Sequence, residues 1–458
     1  MTTPRPSSSR LRPEAIPREV ARAAARLRSA GGQAWIVGGA VRDLLLARPV
    51  RDWDLATDLV PARVLELFPG SLDVGARFGT VTVPGPGGFE ITTFRSDGIY
   101  SDARHPDDVK FSDSIDEDLA RRDFTINAFA YDPVTDRLVD PGTALQDLSN
   151  ALLRTMGDAE TRFREDALRL LRGVRLATEL GFGIEPSTLR GMVLAAPGIV
   201  RIAPERVRAE IDRLLELDQP SIAFSLLFET GLLHRILPEL AACYGVAQNP
   251  HHAFDVFHHS LAALDRSVGA SRVVRLAALF HDVGKPETRV ETDETATFYS
   301  HQYKSEDHAD RALRRLRYPN QEREAVAHLV RHHMFHYTEE WSDAAVRRFL
   351  REIGPERVED LFAMRAADTL GNGLRSRVAP QLGQLRERID RILEAENALG
   401  VRDLAIDGYD LMNELGMTPG RQIGVLLNGL LEAVLDDPSL NERDRLLALA
   451  RERLSASG

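Results

Sequence analysis

Apolar and polar positions follow two different patterns along this chain, and each predicts a different architecture. Residues 33–57 predict a strand, a tight turn, a helix and a second strand, because an apolar run ends in two glycines before helical spacing begins. Residues 80–83 and 89–94 flank a Pro/Gly-rich turn, which predicts a β-hairpin. Beyond residue 154 helical spacing dominates and strand signals nearly vanish. The pattern therefore predicts an α+β N-terminal domain followed by helical domains.

Segment 33–57 carries the first chemical candidates. Gly38 and Gly39 let backbone N–H groups approach a phosphate closely where a helix begins. Asp52 and Asp54 are two residues apart, so both carboxylates point to one face of the predicted strand. Such a pair suits Mg²⁺, and two ions could activate an attacking hydroxyl and neutralise a leaving pyrophosphate. Each feature is common in ordinary loops, but their combination favours a phosphate site.

Further candidates follow, each with a structural alternative. Glu90, in the predicted hairpin, could add a third carboxylate or face solvent. Arg121, Asp123 and Asn127 lie in a polar segment that could bind a triphosphate and a ribose, or form a salt-bridged helix end. Residues 95–114 show no periodicity, and we predict a mobile loop there.

Residues 165–172 have strong helical character. Asp166 and Arg169 are three residues apart and would share one helix face. They could form an ion pair, or an acceptor and a donor for the edge of a base. On a later predicted helix, a solvated face is favoured over phosphate contacts for Arg201, Arg206 and Arg208.

Most histidines lie between residues 248 and 368. His281 and Asp282 end an apolar helix pattern at residues 276–280, and the others lie in flanking segments. Imidazoles mixed with carboxylates suit a transition metal, Mg²⁺ or Mn²⁺, so a metal site is favoured over a histidine-rich surface. The other members of this group are His251, His252, His258, His259, His301, His308, His328, His332, His333, His336 and Asp368.

The two ends of the chain carry weaker signals. The first residues are polar and rich in Ser, Pro and Arg, which predicts a disordered leader over residues 1–15. Residues 382–399 predict an amphipathic helix, residues 407–424 two short helices with a Gly/Pro turn, and residues 441–454 a last helix. These helices could bind nucleic acid or only pack.

Composition adds few constraints. A chain of 458 residues should hold several domains. Its single cysteine, Cys243, excludes an intramolecular disulfide framework, which fits a reducing cytoplasm. No apolar run reaches the roughly 18 residues of a membrane span. The net charge of −11 argues weakly against nucleic acid, yet nearly all the cations are arginines, which bind phosphates bidentately.

These motifs resemble the bacterial class II tRNA nucleotidyltransferases, which are the CCA-adding enzymes, and the related bacterial poly(A) polymerases, over roughly residues 33–454. Residues 38–43 with Asp52 and Asp54 are similar to the family's metal and triphosphate motif. Residues 121–128 resemble its ribose and triphosphate motif, and residues 165–169 its nucleotide-selecting motif. Residues 95–111 look like its flexible loop at full length.

The resemblance implies an α+β protein with a small mixed-sheet, polymerase-β-like nucleotidyltransferase head at residues 16–153. An all-α neck at residues 154–246, an HD domain at residues 247–375 and a tRNA-binding tail at residues 376–458 would follow. Mg²⁺ on Asp52 and Asp54 would catalyse attack of the tRNA 3′-hydroxyl on CTP or ATP. The implied nucleotide-binding residues are Gly38, Gly39, Arg42, Arg121, Asp123, Asn127, Glu165, Asp166 and Arg169.

The order of histidines is similar to that of HD phosphohydrolases. This similarity implies hydrolysis of phosphomonoesters or 2′,3′-cyclic phosphates, with a divalent metal (Mg, Mn, Ni or Fe) and a phosphate contact at Lys285. The implied ligands are His259, His281, Asp282, His301, His332 (or the adjacent His333) and Asp368.

Several alternatives stay open at this point. The relatives include CC-adding enzymes, which the full-length loop disfavours, A-adding enzymes and poly(A) polymerases. A nucleotide-signal regulator with an inactive head, or a non-catalytic RNA-binding protein, is disfavoured by Asp52 and Asp54. The expected partners are tRNA, CTP and ATP in the cytoplasm, without a membrane, and the oligomeric state is open.

Overall fold

The computed structural model describes residue 11 and residues 13–75, 79–84, 88–97, 109–248, 253–291, 296–378, 380–395 and 400–456. The chain forms two compact units, residues 1–241 with 315–318, and residues 242–314 with 319–458. Most of the predicted leader, and residues 98–108 of the predicted loop, lie outside the described residues. Within the described ranges, no helix has the length and apolar character that crossing a membrane requires.

The first unit contains a mixed β-sheet that confirms the predicted head architecture. Its described strands are β1 (Trp35–Val37), β2 (Trp53–Thr57), β3 (Leu72–Gly75), β4 (Thr80–Val83), β5 (Phe89–Thr93), β6 (Arg95–Asp97), β7 (Val109–Phe111), β8 (Ala130–Asp132), β9 (Arg137–Val139), β10 (Leu152–Leu153) and β11 (Gly183–Ile184). Seven of them form one sheet in the order β3-β4-β5-β2-β1-β8-β9, while β6 pairs with β7 and β10 with β11.

The centre of this sheet places the acidic residues side by side. Strand β2 is parallel to β5 in a register that pairs Asp54 with Glu90 and Leu55 with Ile91. Because side chains alternate between the two faces of a strand, the fully buried Leu55 and Ile91 lie on one face and the two acidic residues on the other. The predicted β4–β5 hairpin is confirmed.

The ends of the predicted irregular segment 95–114 differ from the expectation. Strands β6 and β7 pair in an antiparallel register from Arg95 opposite Phe111 to Asp97 opposite Val109. Such short strands escape a periodicity search because three residues show too few alternations.

Helices complete the first unit. They are α1 (Arg18–Ser29), α2 (Gly39–Leu45), α3 (Pro61–Leu67), α4 (Ile115–Ala120), α5 (Ala144–Ser149), α6 (Ala159–Glu165), α7 (Leu168–Leu180), α8 (Pro186–Ala195), α9 (Pro204–Leu215), α10 (Pro220–Glu229), α11 (Leu233–Ile236) and α12 (Pro238–Ala241). Proline begins α3, α8, α9, α10 and α12, where its missing N–H would have no partner within the helix.

The helix predicted across residues 165–172 is interrupted. Helix α6 ends at Glu165 and α7 begins at Leu168, with Asp166 in an extended conformation at φ −141° and ψ 103°. An Asp166 side-chain oxygen accepts a hydrogen bond from the Leu168 backbone N–H at 3.0 Å. Asp166 and Arg169 therefore do not lie on one continuous helix, because this side chain satisfies a free amide at the start of the second helix.

The second unit is helical apart from one short strand pair, β12 (Val290–Glu291) with β13 (Ala296–Thr297). Its described helices are α13 (Val256–Arg266), α14 (Arg272–Phe280), α15 (Lys285–Thr288), α16 (His301–Arg315, whose last residue belongs to the first unit), α17 (Asn320–His332), α18 (Asp343–Ile353), α19 (Val358–Gly371), α20 (Pro380–Glu394), α21 (Gly408–Leu415), α22 (Arg421–Asp436) and α23 (Arg443–Ala456).

Two packed regions form this unit. Helices α13, α14, α17 and α19 pack together. Of the two short helices predicted within residues 407–424, the first is α21, whereas the second, α22, is a helix of 16 residues that extends to Asp436. Helices α21, α22 and α23 share a separate apolar core that includes Leu411, Leu430 and Leu446, all fully buried. Of the predicted helix at residues 382–399, residues 396–399 lie outside the described part.

Candidate functional site

The turn between β1 and α2 lies against a cation and a carboxylate. Gly38 has φ 72°, a left-handed conformation that favours glycine. A Cβ atom placed on Gly38 would lie 2.9 Å from Nη1 of Arg122 and 3.9 Å from Oδ2 of Asp54. The absence of a side chain therefore leaves space beside Arg122 and Asp54, as the sequence pattern predicts for a close ligand approach.

Three acidic residues meet beside this turn. Asp52 immediately precedes β2, Asp54 lies within it, and Glu90 is the register partner of Asp54 on β5. Burial raises the pKa of Asp54 to about 6, and the charges of Glu90 and Asp52 add to this effect, while Arg122 opposes it. The cluster thus carries negative charge that a bound cation would neutralise, and carboxylate oxygens are the ligands that Mg²⁺ prefers.

A hydrogen-bonded network links three predicted nucleotide-binding residues. Arg42 Nη1 donates to Asn127 Oδ1 at 2.7 Å, and Asn127 Nδ2 donates to Asp123 Oδ1 at 3.1 Å. The other oxygen of Asp123 accepts two hydrogen bonds from Arg172, at 2.9 and 2.7 Å. Burial would raise the pKa of Asp123, but Arg172 and Asn127 outweigh it and lower this pKa to about 2. These residues form a prearranged polar surface.

Arg172 is a residue that the sequence reasoning missed. It lies one helical turn beyond Arg169 on α7, and its side chain is 38% exposed while it holds the buried Asp123. The i, i+3 spacing of Arg169 and Arg172 indicates that both lie on one helix face. Only the fold, however, shows that Arg172 reaches Asp123.

Arg121 and Arg122 both contact the buried Asp118 on α4. Arg121 donates to Oδ1 at 2.6 and 3.0 Å, and Arg122 donates to Oδ2 at 3.1 Å. These ion pairs are the ones expected if this segment is a salt-bridged helix end, which was the structural alternative in the sequence analysis. Arg122 also lies beside Gly38 and Asp54, so its ion pair with Asp118 holds a cation next to the acidic cluster.

The base-selecting candidates have different partners from those expected. Arg169 Nη1 donates to Glu165 at 2.6 Å, whereas Asp166 Oδ2 accepts from Arg206 Nη2 at 3.3 Å. The intrahelical Asp166–Arg169 ion pair is thus replaced by two separate contacts. Arg206, interpreted from the sequence as part of a solvated face, orients Asp166 from α9.

A second cluster lies in the second unit. His259 on α13, His281 and Asp282 after α14, His301 on α16 and His333 after α17 are all buried, with exposures of 0–4%. Asp368 on α19 lies 3.1 Å from Nε2 of His259. Five of the six ligands named in the sequence analysis are therefore brought together.

The sixth place is taken by His333, and the choice of His332 is corrected. His332 Nδ1 instead faces Glu352 at 3.6 Å, and its ring lies against that of His328. Burial, with the charge of His281, lowers the pKa of His333 to about 3, so this ring is neutral. Adjacent side chains at the end of α17 point in directions about 100° apart, so the order of residues alone does not show which of the two histidines faces the cluster.

Lys285 has protein partners rather than an open position. Its Nζ donates to Asp282 Oδ2 and to Gln248 Oε1, both at 2.6 Å, and lies 5.5 Å from the centre of the Phe298 ring. The phosphate contact predicted for Lys285 stays a prediction. Of the other histidines, His258 pairs with Asp255 and His308 with Glu287, while His251 and His252 lie outside the described residues.

Comparisons with known proteins agree with this geometry. Residues 34–154 match the Poly A polymerase head domain, residues 181–244 the family described as Probable RNA and SrmB-binding site of polymerase A, and residues 289–450 the tRNA nucleotidyltransferase domain 2 family. The CCA-adding enzyme of Geobacillus stearothermophilus is 35% identical over 431 residues, covering 93% of this chain and 95% of that protein.

A further relative and a solved structure support the same assignment. The CCA-adding enzyme of Geobacillus thermodenitrificans is 34% identical over 92% of this chain and 94% of its own length. The crystal structure of the Bacillus stearothermophilus CCA-adding enzyme in complex with CTP has a TM-score of 0.72 and 32% identity, covering 96% of this chain and 98% of that one. This chain belongs to the family of CCA-adding enzymes, which are tRNA nucleotidyltransferases.

Proposed function

We propose that this protein adds C, C and A in turn to the 3′ end of tRNA, from CTP and ATP. The observation that carries the proposal is the cluster of Asp52, Asp54 and Glu90 beside the Gly38 turn, in a chain of this family. A relative of 32% identity was solved with CTP. We expect the reaction in the cytoplasm, where tRNA, CTP and ATP occur together.

Nucleotidyltransferases of this family depend on divalent metal ions, and we propose Mg²⁺ on Asp52 and Asp54, with Glu90 as a third carboxylate. Bound ions would stabilise the attacking and leaving oxygens. The 3′-oxygen of tRNA forms a bond to the α-phosphorus and gives up its proton. The bond from the α-phosphorus to the bridging oxygen breaks, and pyrophosphate leaves.

The chain's own residues would position the nucleotide for this step. Arg121 and Arg122, held on Asp118, supply positive charge to the triphosphate. The network of Arg42, Asn127 and Asp123 provides polar groups for the sugar. Gly38 and Gly39 let the phosphates approach the backbone.

Asp166 and Arg169 would select the base. An acceptor and a donor fork can meet the Watson–Crick edges of cytosine and adenine, and one such bidentate contact discriminates by about 1–3 kcal/mol. Replacing Asp166 with Ala should therefore lower the preference for CTP over UTP roughly tenfold or more, since 1.4 kcal/mol is tenfold. Competition between CTP and UTP for single-nucleotide addition measures this ratio, with Asp218→Ala, at an exposed position before α10, as a control.

The decisive experiment supplies three tRNAs, ending before CCA, after one C and after CC, with CTP, ATP or both and Mg²⁺. Addition of two C residues and one A, followed by arrest, is the expected result. Addition of A only to the CC-ended tRNA would identify an A-adding enzyme, and a long A ladder a poly(A) polymerase. Failure to extend any of them would contradict nucleotidyl transfer by this head.

The buried histidine cluster favours a second function, hydrolysis of a phosphoester at an HD-type metal site. Four imidazoles and two carboxylates suit a divalent transition metal. Water would form a bond to phosphorus while the ester P–O bond breaks and the leaving alcohol takes a proton. Replacing Asp282 with Asn should abolish metal-dependent release of phosphate from a 3′-phosphate RNA end and metal-dependent opening of a 2′,3′-cyclic phosphate end to a phosphomonoester, and it should spare nucleotide addition. Loss of both activities together would contradict two separate sites.

A further inference from the structure

Two histidines outside the buried cluster lie together near the end of α17. His328 and His332 are four positions apart, so their side chains share one face of the helix. Their ring centres lie 4.5 Å from each other. His333, the next residue in the chain, faces the buried cluster instead. The pair is therefore a separate group of imidazoles, and neither the proposed nucleotidyl transfer nor the proposed hydrolysis uses it.

The ring of His328 keeps one nitrogen buried and unpaired among the described residues. This atom is Nε2. The backbone oxygen of Ile353 accepts a hydrogen bond from the same ring, so Nδ1 is the nitrogen that carries the proton. Burial, with the charge of His332, lowers the pKa of His328 to about 4, and the ring is neutral at pH 7. Nε2 therefore has a free lone pair, and a buried acceptor without a donor destabilises the fold.

His332 is oriented in a similar way by a carboxylate. Its Nδ1 lies 3.6 Å from Oε1 of Glu352 on α18. An anionic oxygen on this side of the ring favours the proton on Nδ1 and leaves the lone pair on Nε2. A carbonyl or carboxylate acceptor behind the ring is the arrangement that orients metal-binding histidines. Both rings of the pair have such an acceptor, and both Nε2 atoms are available as ligands.

The charges around the pair do not oppose a cation. The charged groups that act on the two rings are three carboxylates and two guanidinium groups, namely Glu306, Glu352, Glu356, Arg331 and Arg357. Neutral imidazole nitrogen is a ligand that Zn²⁺, Cu²⁺ and Ni²⁺ prefer. Two imidazoles on one helix face can bind one such ion together, and water can fill the coordination positions that remain.

We propose that His328 and His332 bind one Zn²⁺ ion, or a divalent ion of similar ligand preference, through Nε2 of each ring. The ion gives the buried nitrogen of His328 a partner. The Ile353 carbonyl and the Glu352 carboxylate hold the two rings in the orientation that coordination requires. This site takes no ligand from the buried cluster proposed above, so the two sites stand or fall separately.

Zinc counting on the full-length chain tests this assignment. After equilibration at one fixed concentration of free Zn²⁺, His328→Gln and, separately, His332→Gln should each hold one ion fewer than the parent chain. His336→Gln, at an exposed position in the loop after α17, should hold as many ions as the parent. When Asp282→Asn has already changed the buried cluster, His328→Gln should still remove one ion.

Glu352→Gln tests the outer contact without removing a ligand. The Glu352 side chain is 67% exposed, so this variant should fold as the parent does. Its zinc affinity at this site should fall about 10–100-fold, which is the usual cost of losing such an outer partner. Glu340→Gln, at another exposed position of the same unit, is the matched control and should leave the affinity unchanged.

Equal zinc counts in the parent, His328→Gln and His332→Gln would overturn the proposal. A loss that His328→Gln causes in the parent but not together with Asp282→Asn would also overturn it, because the ion would then belong to the buried cluster. Circular dichroism establishes that each variant is folded. If a histidine variant unfolds, an unchanged zinc affinity in Glu352→Gln contradicts the site by itself.

Discussion

At the scale of single residues, two carboxylates of the candidate site in the first unit have opposite pKa shifts. Asp54 is partly buried next to Asp52 and Glu90, and its pKa is raised to about 6. Asp123, by contrast, is buried with two hydrogen bonds from Arg172, and its pKa is lowered to about 2. We propose that Asp54 receives a cation, whereas the hydrogen bonds of Asp123 hold Arg172 and Asn127 in place.

Replacing Asp54 with Asn should separate catalysis from stability. Nucleotide addition should be lost, while the metal-free chain becomes more stable at neutral pH by up to about 3 kcal/mol, because a raised carboxyl pKa of roughly two units is a cost to the folded state above that pKa. Urea unfolding in EDTA measures the change. A less stable Asp54→Asn variant would mean that Arg122 compensates the charge without a metal.

Replacing Asp123 with Asn should destabilise the first unit by about 2 kcal/mol at pH 7. The lowered pKa of Asp123 gives a stabilisation that is complete above the ordinary value of 3.8 and disappears as the pH falls towards about 2. The difference from the parent in urea unfolding should therefore shrink between pH 4 and pH 2. Asp116→Asn, at an exposed position on α4, is the matched control and should change little at either pH.

At the scale of elements, Arg162 on α6 connects the end of α4 to the residues that we propose select the base. Its guanidinium donates to the backbone oxygens of Ala120, Arg121 and Met156, and to Glu165 at 3.1 Å. The same oxygen of Glu165 accepts from Arg169 at 2.6 Å. The end of α4, the break after α6 and the start of α7 therefore share one set of hydrogen bonds.

Arg162→Met should uncouple these elements. We expect a higher KM for CTP and a lower CTP-to-UTP preference. Without Arg162, Glu165 would lose one of its two arginine partners and would hold Arg169 less firmly. Arg164→Met, two residues away and paired only with Glu160 among the contacts observed, should change neither parameter. An equal loss of rate for every nucleotide, with an unchanged preference, would indicate a purely structural role for Arg162.

At the scale of the whole molecule, two compact units carry two distinct candidate sites. Asp54 lies in the first unit, whereas Asp282 lies in the second. Each ligand should therefore stabilise the unit that binds it, since a ligand at a hundred times its Kd adds about 2.7 kcal/mol to the folded state.

Calorimetry should show this selectivity as two unfolding transitions. CTP with Mg²⁺ should raise the temperature of one transition, and Mn²⁺ in the absence of nucleotide should raise the other. Asp54→Asn should remove the first shift, and Asp282→Asn the second. A single transition that both ligands shift alike would show that the two units unfold together.

The sequence alone predicted the local features of the structure. The glycine turn, the Asp-x-Asp strand, the β4–β5 hairpin and the helical remainder follow from interactions between near neighbours, which periodicity and turn chemistry report. The order of the motifs also indicated the family. These predictions depend on residues a few positions apart, so no long-range information was needed.

Only the tertiary structure decided which distant residues meet. The register of β2 and β5 places Glu90 beside Asp54, and the packing of α7 against the head brings Arg172 to Asp123. The end of α17 directs His333, not His332, towards Asp282. Each of these contacts joins residues that are dozens of positions apart, and each depends on a strand register or a helix rotation that spacing along the chain does not specify.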